Sequence, residues 1–519
     1  MKKILQGLAV AVLATGAVNA HDDTNKTFLM PRPQGVNLPM EITTYKDLIP
    51  RKLDDRYGAT VAVTPFFQQS ADHDETAEYF LFKHKSTVTL RTSETQTAQA
   101  DRYAYSDVTN DLDINYLIHD YDLGTNPTRS YSANVSLDPE QTVYGARIDY
   151  HQNLGSVLKN LYLKADMPIV HVENNPKFAV DHVAQVGAWT GSLADDIRNY
   201  FEGKYETRAS LIPDNTPVAT DLQEKLTKAK ILKNSTTGVA DIDVALGYKF
   251  VNSEKYLFAL ALATTIPTGN KETGEYMFQA IAGNGRHWGF GADLCASARA
   301  WGKINHNIKL SLKMKYRYLF ENDANRTLGI NDPRGLRDWG HYHLLLPSNP
   351  LRPDAGGNVP PTLIPAANIT TLRVDVTPGS QFDGVFDFTY NNGGFNFDLG
   401  YNLYYRDRED IDRKQDLPAS TYAVASRGFS SQIDTQRAIA QADIDGNLAT
   451  LWYVDNAHLN TSVAETPSQL TNSIYAGMGY TPKNWDIPLM MGIGGKYEFA
   501  SNNAALEQWS IWGKMGVTF

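Results

Sequence analysis

In several segments charged or other polar side chains occupy every second position, and apolar residues occupy the positions between them. In the clearest segment Lys309, Lys313, Lys315 and Arg317 share one parity, and the opposite parity is apolar. The remaining predicted lining residues on comparable segments are Asp241, Asp243, Asp293, Arg299, Arg373, Asp375, Asp383, Asp387, Asp398 and Arg406. Opposed charges that face one space can orient and filter polar solutes in a pore, or can pair with one another and close a narrow interior. The sequence leaves both interpretations open.

Other residues of the chain could bind a metal or transfer protons, but their spacing is weak evidence for either. Asp338, His341 and His343 lie in one predicted loop, where imidazole could bind zinc or move protons. Residues 443–447 resemble the start of a calcium loop but lack the Gly and Glu of an EF-hand. The chain also has no G-x-S-x-G, P-loop or H-E-x-x-H motif. We therefore predict no catalytic residue, no metal site and no cofactor, and expect a protein that is not an enzyme.

The elements that carry the charged positions have a strict period of two, which is typical of strands with one apolar face. We predict twelve strands, which span residues 57–68, 130–152, 158–172, 240–251, 256–268, 286–301, 306–320, 370–390, 395–407, 472–481, 486–500 and 506–519. The apolar parity changes within 130–152, so we place a β-bulge at residues 138–140. Fourteen strands, with the additional ones in residues 69–129, are the alternative.

Three patterns favour a transmembrane antiparallel β-barrel over a soluble sandwich. Short connections alternate with long ones, as expected for short periplasmic turns and long extracellular loops. Most predicted strands have 10 to 16 residues, which is long for globular proteins. Aromatic residues flank the short turns, where an interfacial girdle belongs. Within the long loops we predict short helices at residues 193–201 and 220–232.

The beginning of the chain predicts export. Residues 1–20 have a cationic start, an apolar stretch and small residues before a cleavage site, which together indicate a signal peptide. Residues 21–56 then form either a periplasmic segment or a plug, and residues 57–519 form the barrel. We expect the bacterial outer membrane as the location, with the lipid bilayer and lipopolysaccharide as surroundings. The last strand ends at Phe519, and we expect it to bind the barrel assembly machinery.

One stretch of the chain resembles a known group of barrels. An apolar strand at 256–266 ends in Pro267-Thr268-Gly269, and a Gly-containing loop then leads to Trp288-Gly289-Phe290-Gly291. This unit resembles outer-membrane barrels linked to the meta-pathway of phenol degradation, which are relatives of the long-chain fatty-acid and toluene transporters. The resemblance covers roughly residues 240–320. It implies uptake of small, often apolar or aromatic solutes.

Three functions are compatible with the sequence. The first is an outer-membrane channel or transporter for small solutes. The second is a surface adhesin, receptor or structural barrel that acts through its long loops, and the third is an outer-membrane enzyme. The net charge of −10 argues against a nucleic-acid partner, and the single cysteine excludes a disulfide framework.

Overall fold

The computed structural model describes residues 25–44, 58–91, 111–113, 130–186, 193–205, 223–303, 305–331, 339–347, 363–424, 452–482 and 489–519. The predicted signal peptide, Asp338 and residues 443–447 lie outside the described residues.

Twelve antiparallel strands close into one barrel, as predicted. The strands are β1 Ala59–Ser70, β2 Glu140–Asn153, β3 Leu161–Asn175, β4 Ile242–Asn252, β5 Tyr256–Ile266, β6 Gly289–Lys303, β7 His306–Leu319, β8 Gly379–Asn392, β9 Phe395–Arg406, β10 Gln469–Tyr480, β11 Leu489–Ala500 and β12 Gln508–Thr518. β1 pairs with β2 on one side and with β12 on the other, so that Thr60 lies between His151 and Thr518. This pairing closes the sheet and leaves the barrel without a free edge.

The barrel wall has an apolar outer surface and a polar inner surface. On β8, Phe386 is 53% exposed and Phe388 is 40% exposed, whereas Asp387 between them is 3% exposed. On β12, Met515 is 60% exposed and the neighbouring Lys514 is 3% exposed. An apolar band around a polar interior is the arrangement of a barrel that faces lipid.

The two ends of the barrel differ in the length of their connections. At one end β8 and β9 are joined by Gly393 and Gly394, and Gly393 has a φ of +67° that favours glycine. At the other end β1 and β2 are joined by residues 71–139 and β3 and β4 by residues 176–241. Because transmembrane barrels have short periplasmic turns and longer extracellular loops, the second end is the extracellular one.

The long connections fold over the extracellular end as a unit that we call the outer cap. Its four small sheets consist of Thr87–Arg91, Asp111–Asp113, Ser130–Ser136 and Ala179–Val186; Asn322–Thr327, Thr371–Thr377 and Asp410–Arg413; Gly329–Ile330 and Leu459–Asn460; and Leu344–Pro347, Ile364–Pro365, Tyr422–Val424 and Tyr453–Val454. Two clusters of buried apolar side chains form the core of the outer cap. Trp339, Tyr200 and Phe80 are completely buried in the larger cluster.

The helices are few and short. They are α1 Leu38–Ile42, α2 His73–Phe80, α3 Leu193–Phe201 and α4 Ala366–Thr370, with 3₁₀ turns at Gly340–Tyr342, Asn456–His458 and Ser462–Ala464. Among the described residues no helix is long and apolar enough to cross a membrane. α3 forms as predicted. The helix predicted for residues 220–232 is wrong over the described part, because the amides of Ala229 and Lys230 donate to the carbonyls of Gly274 and Glu275 instead.

Two predicted strands divide between the barrel and the outer cap, which corrects their boundaries. Residues 130–152 are not one strand with a bulge at 138–140; instead Ser130–Ser136 pairs in the cap, and only β2 enters the barrel. Residues 370–390 break at Pro378, which has no amide hydrogen for the ladder. Val374 and Val376 therefore pack in the cap core, while Phe386, on the same parity, faces outward. The additional strand at Thr87–Arg91 also belongs to the cap, so the fourteen-stranded alternative is wrong.

The strand that begins at Asn234 and continues as β4 is interrupted by a kink. Asn234–Val239 and β4 both pair with β3, and they are separated by Ala240 and Asp241. Asp241 has a φ of +58°, and its carboxylate accepts hydrogen bonds from the amides of Asn284 (2.8 Å) and Gly269 (3.3 Å). The kink therefore fixes the loop between β5 and β6 against the inner side of the wall.

Candidate functional site

The barrel lumen is occupied by residues 25–44, which we call the N-terminal segment. The segment begins in the outer cap, where the amide of Asn25 donates to the carbonyl of Leu81 (3.1 Å). It ends near the periplasmic turns, where the amide of Thr44 donates to Asp398 Oδ2 (2.7 Å). All but two of its residues are buried. The chain thus runs down through the lumen before it reaches β1.

The upper part of the N-terminal segment packs into the cap as an apolar element. Phe28, Leu29 and Met30 are 3%, 0% and 0% exposed. Leu29 belongs to the larger cap cluster, and the guanidinium of Arg326 lies 3.5 Å from the centre of the Phe28 ring. Burial of these side chains anchors this part of the segment by the hydrophobic effect.

The middle of the segment is held by a group that we call the arginine clamp. The Arg32 guanidinium contacts Asp383 Oδ1 at 3.0 Å and Glu498 Oε1 at 2.8 Å, and it also donates to Asn402 Oδ1 at 3.1 Å. The ring of Tyr404 lies beneath it, with its centre at 4.5 Å. β8, β9 and β11 each present these groups because their polar parity faces inward.

The lower part of the segment places one carboxylate within four cations, which we call the cation cage: Arg147, Lys164, Lys313 and Lys315. Glu41 Oε1 lies 2.6 Å from Lys164 Nζ and also accepts a hydrogen bond from Lys313. Glu41 Oε2 lies 3.0 Å from Arg147 Nη2 and 3.1 Å from Lys315 Nζ. Both oxygens therefore have two cationic partners.

The cation cage is assembled from strands on different sides of the lumen. Arg147 and Lys164 come from the paired strands β2 and β3, whereas Lys313 and Lys315 come from β7. β7 and β3 are separated by β4, β5 and β6 in the closed sheet. Glu41, a residue of α1 inside the lumen, contacts the cations of both sides, and Asp166 of β3 also contacts Lys315 of β7.

The wall supplies three acids to the cage, which is fewer than its four cations. One of them, Asp243, is shared with Arg317, because its Oδ2 lies 3.4 Å from Lys315 Nζ and 2.6 Å from Arg317 Nη2. Asp149 contacts Arg147 Nε at 2.8 Å. Asp166 Oδ2 lies between Arg147 (3.1 Å), Lys164 (3.3 Å) and Lys315 (3.1 Å). Counting whole charges on these groups together with Arg317 and its second acid Asp293, Glu41 reduces the excess of cations from one to zero.

Below the cage the segment lies very close to the wall. Lys514 Nζ donates to the carbonyls of Glu41 and Thr43, both at 2.8 Å, and Trp512 Nε1 donates to Thr43 Oγ1 at 3.1 Å. A Cβ atom at Gly492 would lie 2.4 Å from Thr44 Cγ2, so only glycine fits there. The end of the N-terminal segment thus lies directly against β11 and β12 at the level of Thr44.

A small cavity remains between the N-terminal segment and the kink. It has a volume of about 30 Å³, and Val36, Asp166, Asp241 and Lys315 are among its lining residues. This volume holds roughly one water molecule. The cavity is too small to give a solute a path past the segment.

The structure brings most of the predicted lining residues together on the inner wall. Buried there are Lys309, Lys313, Lys315, Arg317, Asp241, Asp293, Asp383, Asp387, Asp398 and Arg406. Asp243 is partly buried and contacts Arg317 Nη2 at 2.6 Å. Arg299 lies near the periplasmic turns, with Glu254 at 3.9 Å.

The placement of Arg373 and Asp375 in the lumen is wrong. Both residues lie on Thr371–Thr377 in the outer cap, where Arg373 contacts Asp323 and Asp375 pairs with Lys414. The Arg373 side chain is 59% exposed. The apolar parity of this stretch packs into the cap core, so the charged parity faces away from it.

The sequence reasoning missed both charged residues of the N-terminal segment that the wall holds, Arg32 and Glu41. It also left out Lys164 and Glu498 as site residues. A sequence signal for the first two exists, because they lie in an otherwise largely apolar stretch with several prolines, where isolated charges need partners once the stretch is buried.

The histidines considered for a metal site lie in the outer cap and away from the lumen. His341 is buried against the Tyr342 ring, with the ring centres 4.1 Å apart. Burial, together with the neighbouring His343, lowers the pKa of His341 to about 3. Across the described ranges no three His, Cys, Asp or Glu side chains are grouped so that they could hold a metal ion.

A closed barrel with an apolar outer surface and a charged lumen is an outer-membrane β-barrel in architecture. Several solved structures are similar to it at low TM-score. An outer membrane channel from Pseudomonas putida F1 has a TM-score of 0.34 and 10% identity, with 91% of this chain and 100% of that chain covered. The Pseudomonas putida toluene transporter TodX has a TM-score of 0.31 and 8% identity, with 95% and 98% covered.

A Pseudomonas aeruginosa FadL homologue has a TM-score of 0.28 and 8% identity, with 95% of this chain and 99% of that chain covered. At these values the similarities carry no argument about function. No protein-family model matches the chain, and no curated protein matches it in sequence.

Proposed function

We propose that the protein is an outer-membrane channel for small solutes, and that its lumen is closed at rest by the N-terminal segment. The observation that carries this proposal is the way in which the lumen is filled. A separate stretch of chain occupies it, and that stretch contacts the wall through Arg32, Glu41 and Thr44. If residues 32–44 move away, a path lined by polar and charged groups is left.

The contacts that hold residues 32–44 support a removable plug. Ion pairs and hydrogen bonds join this stretch to wall residues such as Asp383, Glu498 and Lys514, beside the apolar packing of Leu38, Met40 and Ile42. Buried ion pairs add little net stability over the hydrated charges, because desolvation offsets most of the attraction. Water that enters the lumen can therefore replace the ion pairs and hydrogen bonds at low net cost in free energy.

The upper part of the segment supports movement without loss of the segment. Residues 28–30 stay in the apolar cap while residues 32–44 change position. The part that moves begins near Pro31 and Pro33, which lie next to residues 28–30 in the cap and to Arg32 of the arginine clamp. The channel thus opens when residues 32–44 move away from the wall while the upper part of the N-terminal segment stays in the cap.

A disulfide between the segment and the wall tests this proposal. A Cβ atom at Gly477 would lie 3.1 Å from Thr43 Cβ, a few tenths of an ångström below the usual disulfide range of about 3.5–4.5 Å. We expect the double variant Thr43→Cys/Gly477→Cys to conduct no ions in planar bilayers when oxidised and to show discrete steps after reduction. The native Cys295 is replaced by Ser in this background.

Each single-cysteine variant is the matched control and is expected to conduct equally with and without reductant. Different gel mobility of unboiled and boiled samples verifies the folded barrel in every case. Equal conductance of the oxidised and reduced double variant would refute the role of the segment. A folded, reduced protein without any conductance would refute the channel itself.

One observation favours a second function, that of a surface receptor. The outer cap has its own apolar core, which includes Tyr200 and Trp339. A folded cap presents a defined surface for a ligand outside the cell. Cell or ligand binding that persists in the oxidised double variant, together with absent conductance in the reduced one, would favour the receptor.

A further inference from the structure

We propose that the cation cage is the binding site for the carboxylate of a small organic anion, and that this solute opens the channel by replacing Glu41. The inference rests on the proposed function, which it deepens by naming the class of solute and the event that displaces the segment. Glu41 is the resident ligand of the site, and the solute competes with it.

The geometry of the cage fits a carboxylate. One Glu41 oxygen is contacted by Lys164 and Lys313, and the other by Arg147 and Lys315. Charge-assisted hydrogen bonds to both oxygens fix the plane of the group as well as its position. Any free carboxylate that enters the lumen can make the same four contacts.

The cage needs an anion that the wall does not provide. Lys313 has Glu41 as its ion-pair partner, whereas Arg317, four residues further along β7, contacts the wall acids Asp243 and Asp293 at 2.6 and 2.7 Å. Without Glu41, the four cations of the cage have Asp149, Asp166 and Asp243 as neighbouring acids, and Asp243 is shared with Arg317. A buried cation without a partner is costly, so the vacated cage selects for an anion.

The surroundings of the cage suit a solute with an apolar body. Leu38, Met40 and Ile42 flank Glu41 on the segment, and they pack in one cluster with wall residues that include Phe66 and Trp512. When the segment leaves, these wall side chains face the space beside the cage. A carboxylate attached to a small apolar or aromatic group matches both parts of the site.

Benzoate and benzyl alcohol distinguish an anion site from general apolar affinity. We expect the open probability of the full chain in planar bilayers to rise with benzoate and to remain constant with benzyl alcohol, which has the same ring without the charge. Inorganic phosphate is the third probe. If phosphate opens the channel as well as benzoate does, the cage recognises compact anions in general, and the carboxylate proposal is overturned.

Two substitutions locate the effect. In Lys313→Gln, combined with Glu41→Gln so that no resident carboxylate competes, we expect the dissociation constant of benzoate to rise about tenfold, which corresponds to about 1.4 kcal/mol. The matched control is Lys249→Gln, a buried wall lysine that lies over the Tyr162 ring, 5.8 Å from its centre, and we expect a shift of less than about twofold there. Equal shifts in both variants would overturn the assignment of the site.

A binding measurement in detergent keeps the test independent of conduction. In Glu41→Gln the resident carboxylate loses its charge, so benzoate binds with a dissociation constant at least about tenfold lower than in the wild type. Unchanged benzoate affinity in the folded variant overturns the inference. If at the same time the reduced Thr43→Cys/Gly477→Cys protein conducts, the proposed channel function stands without it.

Discussion

The two ends of the N-terminal segment differ in the charges that hold them, because the lumen end adds ion pairs with the wall to the apolar packing of Leu38, Met40 and Ile42. In the outer cap, Phe28, Leu29 and Met30 are buried among apolar side chains. In the lumen, Arg32 and Glu41 are buried among charges of opposite sign. Apolar burial is lost when water enters, whereas ions can exchange protein partners for water. We therefore expect residues 28–30, which we call the anchor, to stay in place when residues 32–44, which we call the latch, move.

The largest loss of stability is expected when a large side chain is removed from the cap core that holds the anchor. Trp339 is completely buried in the cap core, and its Nε1 donates to the carbonyl of Phe80 at 2.9 Å. Trp339→Ala should destabilise the cap by roughly 3–5 kcal/mol through the cavity that it leaves. Limited proteolysis should then cut the cap while the barrel keeps its heat-modifiable gel mobility.

Trp301, which is 55% exposed at the periplasmic end, provides the matched control. Trp301→Ala should leave the proteolysis pattern of the cap unchanged. Simultaneous loss of the cap and the barrel in Trp339→Ala would remove the distinction between the two regions.

A smaller effect is expected at the latch. Arg32→Gln leaves Asp383 and Glu498 without their guanidinium partner, which should weaken attachment of residues 32–44 by about 3 kcal/mol. Hydrogen exchange of these residues should accelerate, while residues 28–30 remain protected. Arg373→Gln, at an exposed cap position, is the control. Equal acceleration over residues 28–44 would mean that anchor and latch are one unit.

Acid should act on the cap with a smaller effect. The pKa of His341 is lowered to about 3 in the folded cap, so between pH 6.5 and 3 the unfolded state binds more protons than the folded state. The stability of the cap therefore falls as the pH decreases, by about 2 kcal/mol from pH 7 to pH 5.

Thermal unfolding of the cap in detergent at both pH values measures this loss, and His341→Gln should remove most of it. The variant isolates the histidine from the carboxylates that also titrate at lower pH. An identical pH dependence in the wild type and the variant would show that His341 does not control the acid stability of the cap.

The smallest effect is expected from one hydroxyl at the foot of the latch. Thr43→Val keeps the shape of the side chain but removes the acceptor for Trp512 Nε1, which should cost about 1 kcal/mol. Hydrogen exchange of residues 41–44 should increase by about fivefold. Thr60→Val, which changes a hydroxyl at the β1–β12 seam, should have no effect on these residues. If both variants behave alike, the foot of the segment is not held by this contact.

The barrel could be predicted from the sequence because its signal is local. The alternation of apolar and polar residues in β7, β9 and β12 defines both faces of each strand without knowledge of its neighbours. The parity change within 130–152 was also detected, but its cause was not. Tyr131 and Val135 change sides because they pack in the cap core, and that packing partner is distant in sequence.

The site was predicted only in part for the same reason. Period two placed Lys313 and Lys315 on the inner wall, but it could not identify what they contact. Their partner Glu41 lies more than 250 residues away and belongs to a segment without strand periodicity. The misplacement of Arg373 and Asp375 arose because identical alternation occurs in the cap, where the apolar side faces a protein core.

The covalent route of the chain through the lumen makes Glu41 a ligand at high effective concentration. Residues 45–57 join the segment to β1, and residues 28–30 fix its other end in the cap. A group tethered in this way competes as if it were present at roughly millimolar concentration. A free solute must approach that level to hold the cage for long, and Glu41 rebinds as soon as the solute departs. The segment would thus raise the solute concentration outside the cell at which the channel is half open.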